Sequence, residues 1–559
     1  MKPEGYALAE MPAEEESTGQ ATAQTAVHLD CKLAMKKLVR EENSGNNPVP
    51  DILGFLHLNH LPGYDPAKRI HDLFKQFECK SLELKPLLKI DVPKPNYTVR
   101  PMARPVTEEW LLYEAATEIL ASSILKDPSI CRNSFNALRF RYKMKRTEPW
   151  VRFDKHSREL YASGYPVAIK TDITGFYENI SLKELETRIY NYLDDTDDCK
   201  RVADLISFMV RSWSRPERIE GYGIPQGPPG SAFYAEIYLD SVDRAMEKYP
   251  GYHRYSDDIR IFVTSDREGK LALKDLTVAL RDLKLHVNAQ KTEILREAEI
   301  KKLFNPQKDL MDLIKVAMDS KEPSRIREVV PHLRNLVLTG LAEDPFEKPY
   351  LTFSLWRLSQ IHKAGIDIGA GEIMTKIQER FVQKPHHAAI FCNFLTTFHK
   401  EESTARFLIS FLKGEDNIYE WQELKALQCL VRLTFAATDD EVNFFLDRAK
   451  DSNKHFIVRT FYFLLAGRFG KNRDRDVIAR CYDVSLNVST KLGIVLAVQE
   501  LPARDTIYSK ILSQDKDTEV STFVKYVKSL KNPIYWLDPI HPSPELFSEL
   551  QEKYDVYSA

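Results

Sequence analysis

The stretch HRYSDDIRIFVTS, residues 253–265, sets two adjacent aspartates in front of a run of apolar and β-branched residues. The residues on either side of Asp257 and Asp258 predict a strand, a tight turn and a second strand. Aspartate is favoured in turns, so the pair by itself is most simply a polar hairpin. Further carboxylates at the same place would instead indicate a metal site.

A third carboxylate, Asp172, ends the apolar, strand-like segment PVAIKTD, residues 166–172. Aspartates at the ends of neighbouring strands can converge on one spot. Two-metal phosphoryl transfer requires carboxylate oxygens there, because hard cations prefer oxygen ligands, and two or three aspartates suffice. A hairpin turn has no need of Asp172, whereas a two-metal site does.

Composition limits the class of protein. The chain has 559 residues, and Lys+Arg 79 against Asp+Glu 81 gives a formal charge of −2. The length predicts two or three domains, and the charge balance requires any nucleic-acid site to be a local patch. The seven cysteines include no C-x-x-C pair, which argues against a disulfide framework and a zinc site. The chain shows neither an apolar run of about 18 residues nor a secretory signal, so we expect a cytoplasmic protein without a membrane partner.

The character of the sequence changes along the chain. Residues 1–25 are acidic and rich in Ala, Thr and Gln, which predicts a disordered tail. From about 160 to 295, strand-like and helix-like segments alternate, which predicts an α+β sheet domain. After about residue 300 long amphipathic segments follow, and residues 386–501 contain none of the 30 prolines. This half is predicted to be all-α, either a HEAT-like array of helical pairs or one irregular bundle.

Four motifs identify a family resemblance. In order, they are DITGFYENIS (172–181), GIPQGPPGSAFYAEIYL (223–239), YSDD (255–258) and LHVNAQKTEIL (285–295), and they resemble the palm motifs of reverse transcriptases. The resemblance covers roughly residues 95–300. It implies that Asp172 and Asp257 are the catalytic aspartates that bind Mg²⁺ or Mn²⁺, with Asp258 as the accompanying carboxylate. It also implies four regions: the tail 1–25, an N-terminal region with fingers 26–160, a palm 161–300 and an α-helical repeat domain 301–559.

The resemblance assigns two residues close to the reacting groups. Tyr177 lies five residues after Asp172, where reverse transcriptases place an aromatic ring that excludes a 2′-hydroxyl. Its presence implies that the substrates are dNTPs. Lys291 resembles the lysine proposed to protonate the departing pyrophosphate, with a solvated surface lysine as an equal alternative.

Other residues are predicted to bind the incoming nucleotide. Arg100 lies where reverse transcriptase fingers present a basic residue to the triphosphate, and Arg104 is an equal candidate for that role. The glycine-rich loop GIPQGPPGS, residues 223–231, resembles the reverse transcriptase loop that lies beneath the nascent base pair. The predicted substrate-binding set is completed by Ile173, Gln226 and Gly227.

A basic and aromatic stretch is predicted to bind nucleic acid. Residues 132–155 contain eight Lys/Arg and two acidic residues, interleaved with Phe, Tyr and Trp. This combination suits phosphates and stacked bases, and the alternative is a solvated amphipathic element with its aromatic face in the core. The predicted nucleic-acid-binding residues are Arg139, Arg141, Lys143, Lys145 and Arg146.

The helical half indicates which reverse transcriptases are most similar. The sequence after the palm shows no H-N-H cluster, acidic nuclease triad or zinc-ligand pattern. This layout resembles the bacterial abortive-infection (AbiK-like) reverse transcriptases of the defence-associated group. The resemblance implies antiphage defence, untemplated addition of dNTPs, a single-stranded DNA product linked to a tyrosine hydroxyl, and homo-oligomers.

Two alternatives remain open. The first is a reverse transcriptase that copies a dedicated RNA template, as retron and group II intron enzymes do. The second is a non-catalytic helical-repeat scaffold with an inactive palm, which the presence of all three aspartates disfavours.

Overall fold

The computed structural model describes residues 27–43, 49, 52, 61, 63–144, 147–194, 196–214, 220–301, 303–304, 308–342 and 348–535. The tail predicted for residues 1–25 lies outside this set, as do Lys145 and Arg146. No helix in the described part of the chain is long and apolar enough to cross a membrane.

The first half of the chain mixes strands and helices, as predicted. Its strands are β1 Leu88–Pro93, β2 Val99–Arg104, β3 Val167–Thr171, β4 Gly251–Tyr255, β5 Asp258–Val263 and β6 Glu293–Arg296. Its helices are α1 Cys31–Asn43, α2 Pro66–Glu78, α3 Thr107–Ile124, α4 Leu138–Arg141, α5 Thr147–Ala162, α6 Leu182–Tyr192, α7 Asp197–Ser214, α8 Pro229–Met246, α9 Asp266–Asp282 and α10 Glu297–Lys301.

Four of these strands form one antiparallel sheet in the order β4-β5-β3-β6. Its central strands are rich in Val and Ile, which favour a pleated, buried surface. Ile169 of β3 lies opposite Ile261 on one side and Ile294 on the other. On one face, α9 approaches so closely that a Cβ added to Gly269 would lie 3.3 Å from Ile169 Cδ1.

The second face of the sheet is covered by α5. The buried Phe153 ring of this helix lies 5.1 Å from the His253 ring of β4. Farther along the same face, Phe262 and Leu295 pack with residues that follow α10. Because both faces are covered, the open part of the sheet is the edge where β3 ends and β5 begins.

The remaining two strands, β1 and β2, form a separate antiparallel hairpin in which Pro93 lies opposite Val99. Its connection is short and closed by a hydrogen bond from Lys94 N to Thr98 O at 2.7 Å. The hairpin stands between the four-stranded sheet and the second half of the chain.

The second half is helical, as predicted. Its helices are α11 Lys308–Asp319, α12 Pro323–Ala342, α13 Lys348–Lys363, α14 Ala370–Phe381, α15 Ala388–Leu395, α16 Glu402–Lys413, α17 Glu420–Arg432, α18 Asp439–Lys450, α19 Phe456–Phe469, α20 Asn472–Arg480, α21 Val488–Ala497, α22 Arg504–Gln514 and α23 Thr518–Ser529. Alternate helices stack on one another in the order α13, α15, α17, α19, α21, α23. Most residues of α17, α19 and α21 are buried, so these helices form an inner layer.

Candidate active site

The two adjacent aspartates lie at a two-residue hairpin. Tyr255 of β4 pairs with Asp258 of β5, which leaves Ser256 and Asp257 as the connecting residues. Ser256 has a φ of 55°, the positive value that a type II′ turn requires at its first central position. The turn and the metal site are therefore compatible, since the turn is what places Asp257 and Asp258 at the sheet edge.

Asp172 reaches the same edge from β3. Thr171 pairs with Ile259, so the next residue of β3 comes beside Asp258. Asp172 is buried, and its Oδ2 forms an ion pair with Lys291 Nζ. Its Oδ1 has no hydrogen-bond partner among the residues that the structure describes. Asp172 Oδ1 is therefore a buried carboxylate oxygen that could accept a ligand.

The three carboxylates repel one another. Loss of solvation and the charges of Asp258 and Asp172 raise the pKa of Asp257 to about 6, while Arg100 acts in the opposite direction. Loss of solvation also raises the pKa of Asp258, with Arg260 opposing and Asp172 adding to the rise. Such crowding of acidic groups at a cleft is typical of sites that bind cations.

These features fit a divalent cation. The unpaired, buried oxygen of Asp172 and the two crowded carboxylates of the hairpin are hard ligands of the type that Mg²⁺ prefers. Asp172, Asp257 and Asp258 would hold the metal. When bound, it would stabilise charge on a phosphoryl group and lower the pKa of an attacking hydroxyl.

A second acidic cluster lies beneath the hairpin. Within the described ranges, Cys131, Asp240 and Asp243 alone place three potential ligand atoms within 4.8 Å of one another. Their hydrogen bonds are already made inside the protein: Asp240 accepts from Cys131 N at 2.5 Å and Tyr192 Oη at 2.8 Å. We interpret this cluster as part of a buried polar network.

The centre of that network is Arg254, which is fully buried and lies two residues before the Ser256–Asp257 turn. Its Nε and Nη2 donate to the two oxygens of Asp243 at 2.7 and 2.8 Å, and its Nη1 forms an ion pair with Glu236. Nη1 also donates to the carbonyl of Ser256 at 3.2 Å. The network thereby fixes the hairpin from below. The sequence analysis missed this network. Its only signals in the sequence were Arg254 and the two acidic residues Glu236 and Asp243, seven positions apart on α8.

Tyr177 lies close to the Ser256–Asp257 turn. It begins a short 3₁₀ helix after Asp172, and its carbonyl accepts from Ile224 N at 3.0 Å. Burial and the nearby charge of Asp257 raise the pKa of the Tyr177 hydroxyl. The residue is half-buried near Asp257, and its contact with a sugar stays a prediction.

The glycine-rich loop is seated on β2. Ala103 N donates to Gln226 O at 2.8 Å. Gly227 has a φ of 149°, and a Cβ added to it would lie 2.3 Å from Ala103 O, so only glycine fits here. The loop therefore connects the predicted nucleotide-binding residues Gln226 and Gly227 to the β1–β2 hairpin. Ile173 is buried and bridges to Val287.

The two arginine candidates for the triphosphate differ in position. Arg100 is exposed on β2, and its charge acts on Asp257. Arg104 is only 1% exposed, donates to Thr107 Oγ1 at 3.2 Å and lies 5.1 Å from the Trp110 ring. The structure thus brings Arg100, and not Arg104, to the open edge of the site.

Lys291 also lies at the site. It is exposed in a second 3₁₀ helix, and it contacts Asp172. Its ammonium group therefore lies beside one of the three converging carboxylates.

Two arginines of the basic stretch are engaged within the protein, whereas Arg132, Arg152 and Lys155 are exposed. Arg139 pairs with Glu41 at 2.5 Å, and Arg141 donates to the carbonyls of Leu125 and Ile130 at 3.1 and 2.7 Å. Lys143 is exposed, whereas Lys145 and Arg146 lie outside the described residues. Two aromatic side chains of the stretch face solvent, Tyr142 at 61% and Trp150 at 41% exposure. Sequence charge alone did not distinguish these surface groups from the internally paired arginines.

Residues 92–313 match the family described as reverse transcriptase (RNA-dependent DNA polymerase). The match begins in β1 and ends within α11. The chain therefore contains a reverse transcriptase domain. Domains of this family generally use divalent metals. No curated protein matches the chain.

Several solved structures are similar to the chain at low sequence identity. A Candida albicans telomerase in complex with a fragment of telomeric RNA is 12% identical with a TM-score of 0.28, over 55% of this chain and 65% of that chain. An apo telomerase from Candida tropicalis, truncated of its C-terminal domain, is 14% identical with a TM-score of 0.25, over 40% and 54%. A Candida tropicalis telomerase with the RNA fragment is 13% identical with a TM-score of 0.27, over 70% and 68%. The chain thus spans less than two thirds of the first two structures.

Proposed function

We propose that this protein is a DNA polymerase of reverse-transcriptase type, which joins dNTPs to a hydroxyl group by two-metal phosphoryl transfer. The observation that carries the proposal is the meeting of Asp172 with Asp257 and Asp258 at one sheet edge, with Asp172 Oδ1 buried and unpaired. In the reaction, the hydroxyl oxygen attacks the α-phosphorus of the dNTP, the bond to the β-phosphate oxygen breaks, and pyrophosphate leaves.

Each residue around the aspartates then has a role in the proposed reaction. Arg100 would bind the triphosphate, and Lys291 would supply a proton to the leaving pyrophosphate. Gln226 and Gly227 would support the nascent base pair.

The proposed preference for dNTPs rests on Tyr177. Replacing it with alanine should open space for a 2′-hydroxyl and reduce discrimination against rNTPs by about 10-fold to 100-fold. Tyr177→Phe keeps the ring and should keep the discrimination. Both effects are measured as the ratio of kcat/KM for dATP and ATP. Equal discrimination by all three proteins would show that the ring does not contact the sugar.

We further propose that the polymerase acts in abortive-infection defence against phage, in the cytoplasm and as a homo-oligomer. In this proposal synthesis is untemplated and begins on a tyrosine hydroxyl of the enzyme. The support is the layout, in which every regular element described over 308–342 and 348–535 is helical. A tyrosine oxygen can serve as the nucleophile in place of a primer 3′-hydroxyl, losing its proton as the phosphodiester forms.

One experiment tests the polymerase, template and priming proposals together. Purified protein is incubated with Mg²⁺ and single labelled dNTPs, without template, and the products are separated on a denaturing gel before and after protease and RNase. Label that stays with the protein after RNase, and is released by protease, supports protein priming. Synthesis that RNase abolishes would favour the RNA-templated alternative.

The control is a pair of matched aspartate variants. Asp257→Asn should abolish incorporation, because it removes a charged metal ligand without changing side-chain size. Asp275→Asn makes the same change at an aspartate that pairs with Lys248 at 2.7 Å, away from the sheet edge, and should retain activity. If the natural protein incorporates no dNTP even with a primer-template, the polymerase proposal is wrong and the scaffold alternative gains support.

A further inference from the structure

The β1–β2 hairpin contacts the helical half at its tip. Tyr97, in the connection between the strands, has a φ of 64°, a conformation that is unfavourable for a bulky residue. Its hydroxyl donates to the Gln383 carbonyl at 3.2 Å, and the Tyr419 hydroxyl donates to the Tyr97 carbonyl at 3.1 Å. We name these two hydrogen bonds the hairpin tie. They hold the tip in a conformation that it would not favour alone.

The contacts continue along the chain on the β1 side. Lys85 pairs with Glu519 of α23 at 3.0 Å. The backbone of Lys89 lies against His455, the residue before α19. Tyr97 meets Tyr419, the residue before α17. Residues 85–97 therefore cross the stack of inner helices in order, from its last member towards its middle.

The other strand of the hairpin belongs to the active site. Ala103 of β2 is bonded to the loop residue Gln226, and Gly227 packs against the same backbone. Arg100 lies midway between the hairpin tie at Tyr97 and this anchor at Ala103, three residues from each. Besides its pairing with Val92 of β1, its position relative to Asp257 therefore depends on one contact with the helical half and one with the glycine-rich loop.

We infer that the helical half positions Arg100 for the incoming nucleotide, and that Tyr97 and Tyr419 are positioning residues of the nucleotide site. The inference rests on the proposed function and adds a role for the helices in it. Without the hairpin tie, the tip is free to leave its unfavourable conformation, and Arg100 must be ordered at the moment of binding. Affinity for the triphosphate then falls, because preorganisation is lost.

The test uses three full-length variants. Tyr419→Phe removes one hydrogen bond of the tie and leaves the ring. Tyr97→Phe removes the other and leaves the ring and the unfavourable positive φ in place. The matched control is Tyr482→Phe, which removes a hydroxyl bonded to Asp515 at 2.8 Å elsewhere in the helical half. Binding of dATP with Mg²⁺ is measured by calorimetry, incorporation by steady-state kinetics, and opening of residues 94–100 by hydrogen exchange.

We expect the dATP dissociation constant and KM to rise about five-fold in Tyr419→Phe and in Tyr97→Phe, the equivalent of one hydrogen bond. In both tie variants, hydrogen exchange at residues 94–100 should increase, while kcat should stay within two-fold of the natural value because the reacting groups are unchanged. The control Tyr482→Phe should match the natural protein in all three measurements. Unchanged dATP affinity in both tie variants would overturn the inference. Binding of dATP without incorporation by the natural protein would refute the proposed reaction, while the affinities would still decide the role of the tie.

Discussion

At the scale of single residues, Asp257 combines a functional role with a cost in stability. Its pKa is raised to about 6 in the folded protein, above the usual value of about 3.9 for an unfolded chain. The folded state therefore binds this proton more tightly, and the ionised carboxylate destabilises the fold as pH rises from about 4 through 6. Asp257→Asn should raise the free energy of unfolding at pH 7 by about 1 kcal/mol, after allowance for solvent screening.

Chemical denaturation without divalent metal, at pH 4 and at pH 7, measures this effect. The gain should be much smaller at pH 4, where the natural carboxylate is almost fully protonated in the folded state and about half protonated in the unfolded chain. Mg²⁺ should stabilise the natural protein more than the variant, since the ion binds the folded state through this residue. A variant less stable than the natural protein at pH 7 would contradict the predicted repulsion.

Arg254 is the residue whose loss should harm the fold most. Arg254→Met leaves the buried carboxylates of Glu236 and Asp243 without their cation, which should cost about 3–5 kcal/mol in the free energy of unfolding. The matched variant Arg244→Met breaks a pair with Asp240 that is half exposed on the arginine side. It should cost about 1 kcal/mol or less. Similar losses in urea denaturation for the two variants would show that the network does not depend on Arg254.

At the scale of elements, α17 contains a lysine in an apolar environment. Lys425 donates to Gln428 at 3.1 Å and lies 5.6 Å from the Trp421 ring. Burial, with the charge of Arg432, lowers its pKa to about 7. The folded state binds this proton less tightly than the unfolded chain, so stability falls as pH decreases from about 10 to 7 and stays constant below. Lys425→Met should stabilise the protein by about 2–4 kcal/mol at pH 7.

Denaturation at pH 7 and pH 10 measures the Lys425 effect. The advantage of the methionine variant should shrink at the higher pH, because the natural lysine is then neutral in the fold and increasingly neutral in the unfolded chain. If the methionine variant is more stable by the same amount at pH 7 and at pH 10, the gain comes from packing and not from charge.

The elements also show how far the sequence could predict the site. The alternating pattern of the strands and the adjacent aspartates were sufficient to predict the β4–β5 hairpin. The position of Asp172 at a strand end was sufficient to predict that it lies near Asp257 and Asp258. Arg139 and Arg104 could not be placed, because the partner or burial of each is decided by tertiary packing. Arg139, for example, pairs with Glu41, 98 residues away. Likewise, nothing local indicated that α5 covers the second face of the sheet.

At the scale of the whole molecule, the two halves share one hydrophobic core. A single cluster of buried side chains extends from Val27 in the first half to Val527 in α23. The boundary predicted at residue 300 therefore does not separate two independent cores. We expect calorimetry of the full chain to give one cooperative unfolding transition. Two well-separated transitions would mean that the contacts between the halves contribute little to stability.

The crossing of the inner helices by residues 85–97 limits how the chain can evolve. In an open repeat array, pairs of helices can be duplicated or lost, because each pair contacts only its neighbours. Here Tyr97 is fixed near α17 and Lys85 near α23, and three helix spacings of about 9 Å separate these helices. An extended segment of twelve residues reaches at most about 40 Å. An added pair between α17 and α23 would raise the span to about 36 Å, close to that limit, so the length of this segment restricts the number of repeats.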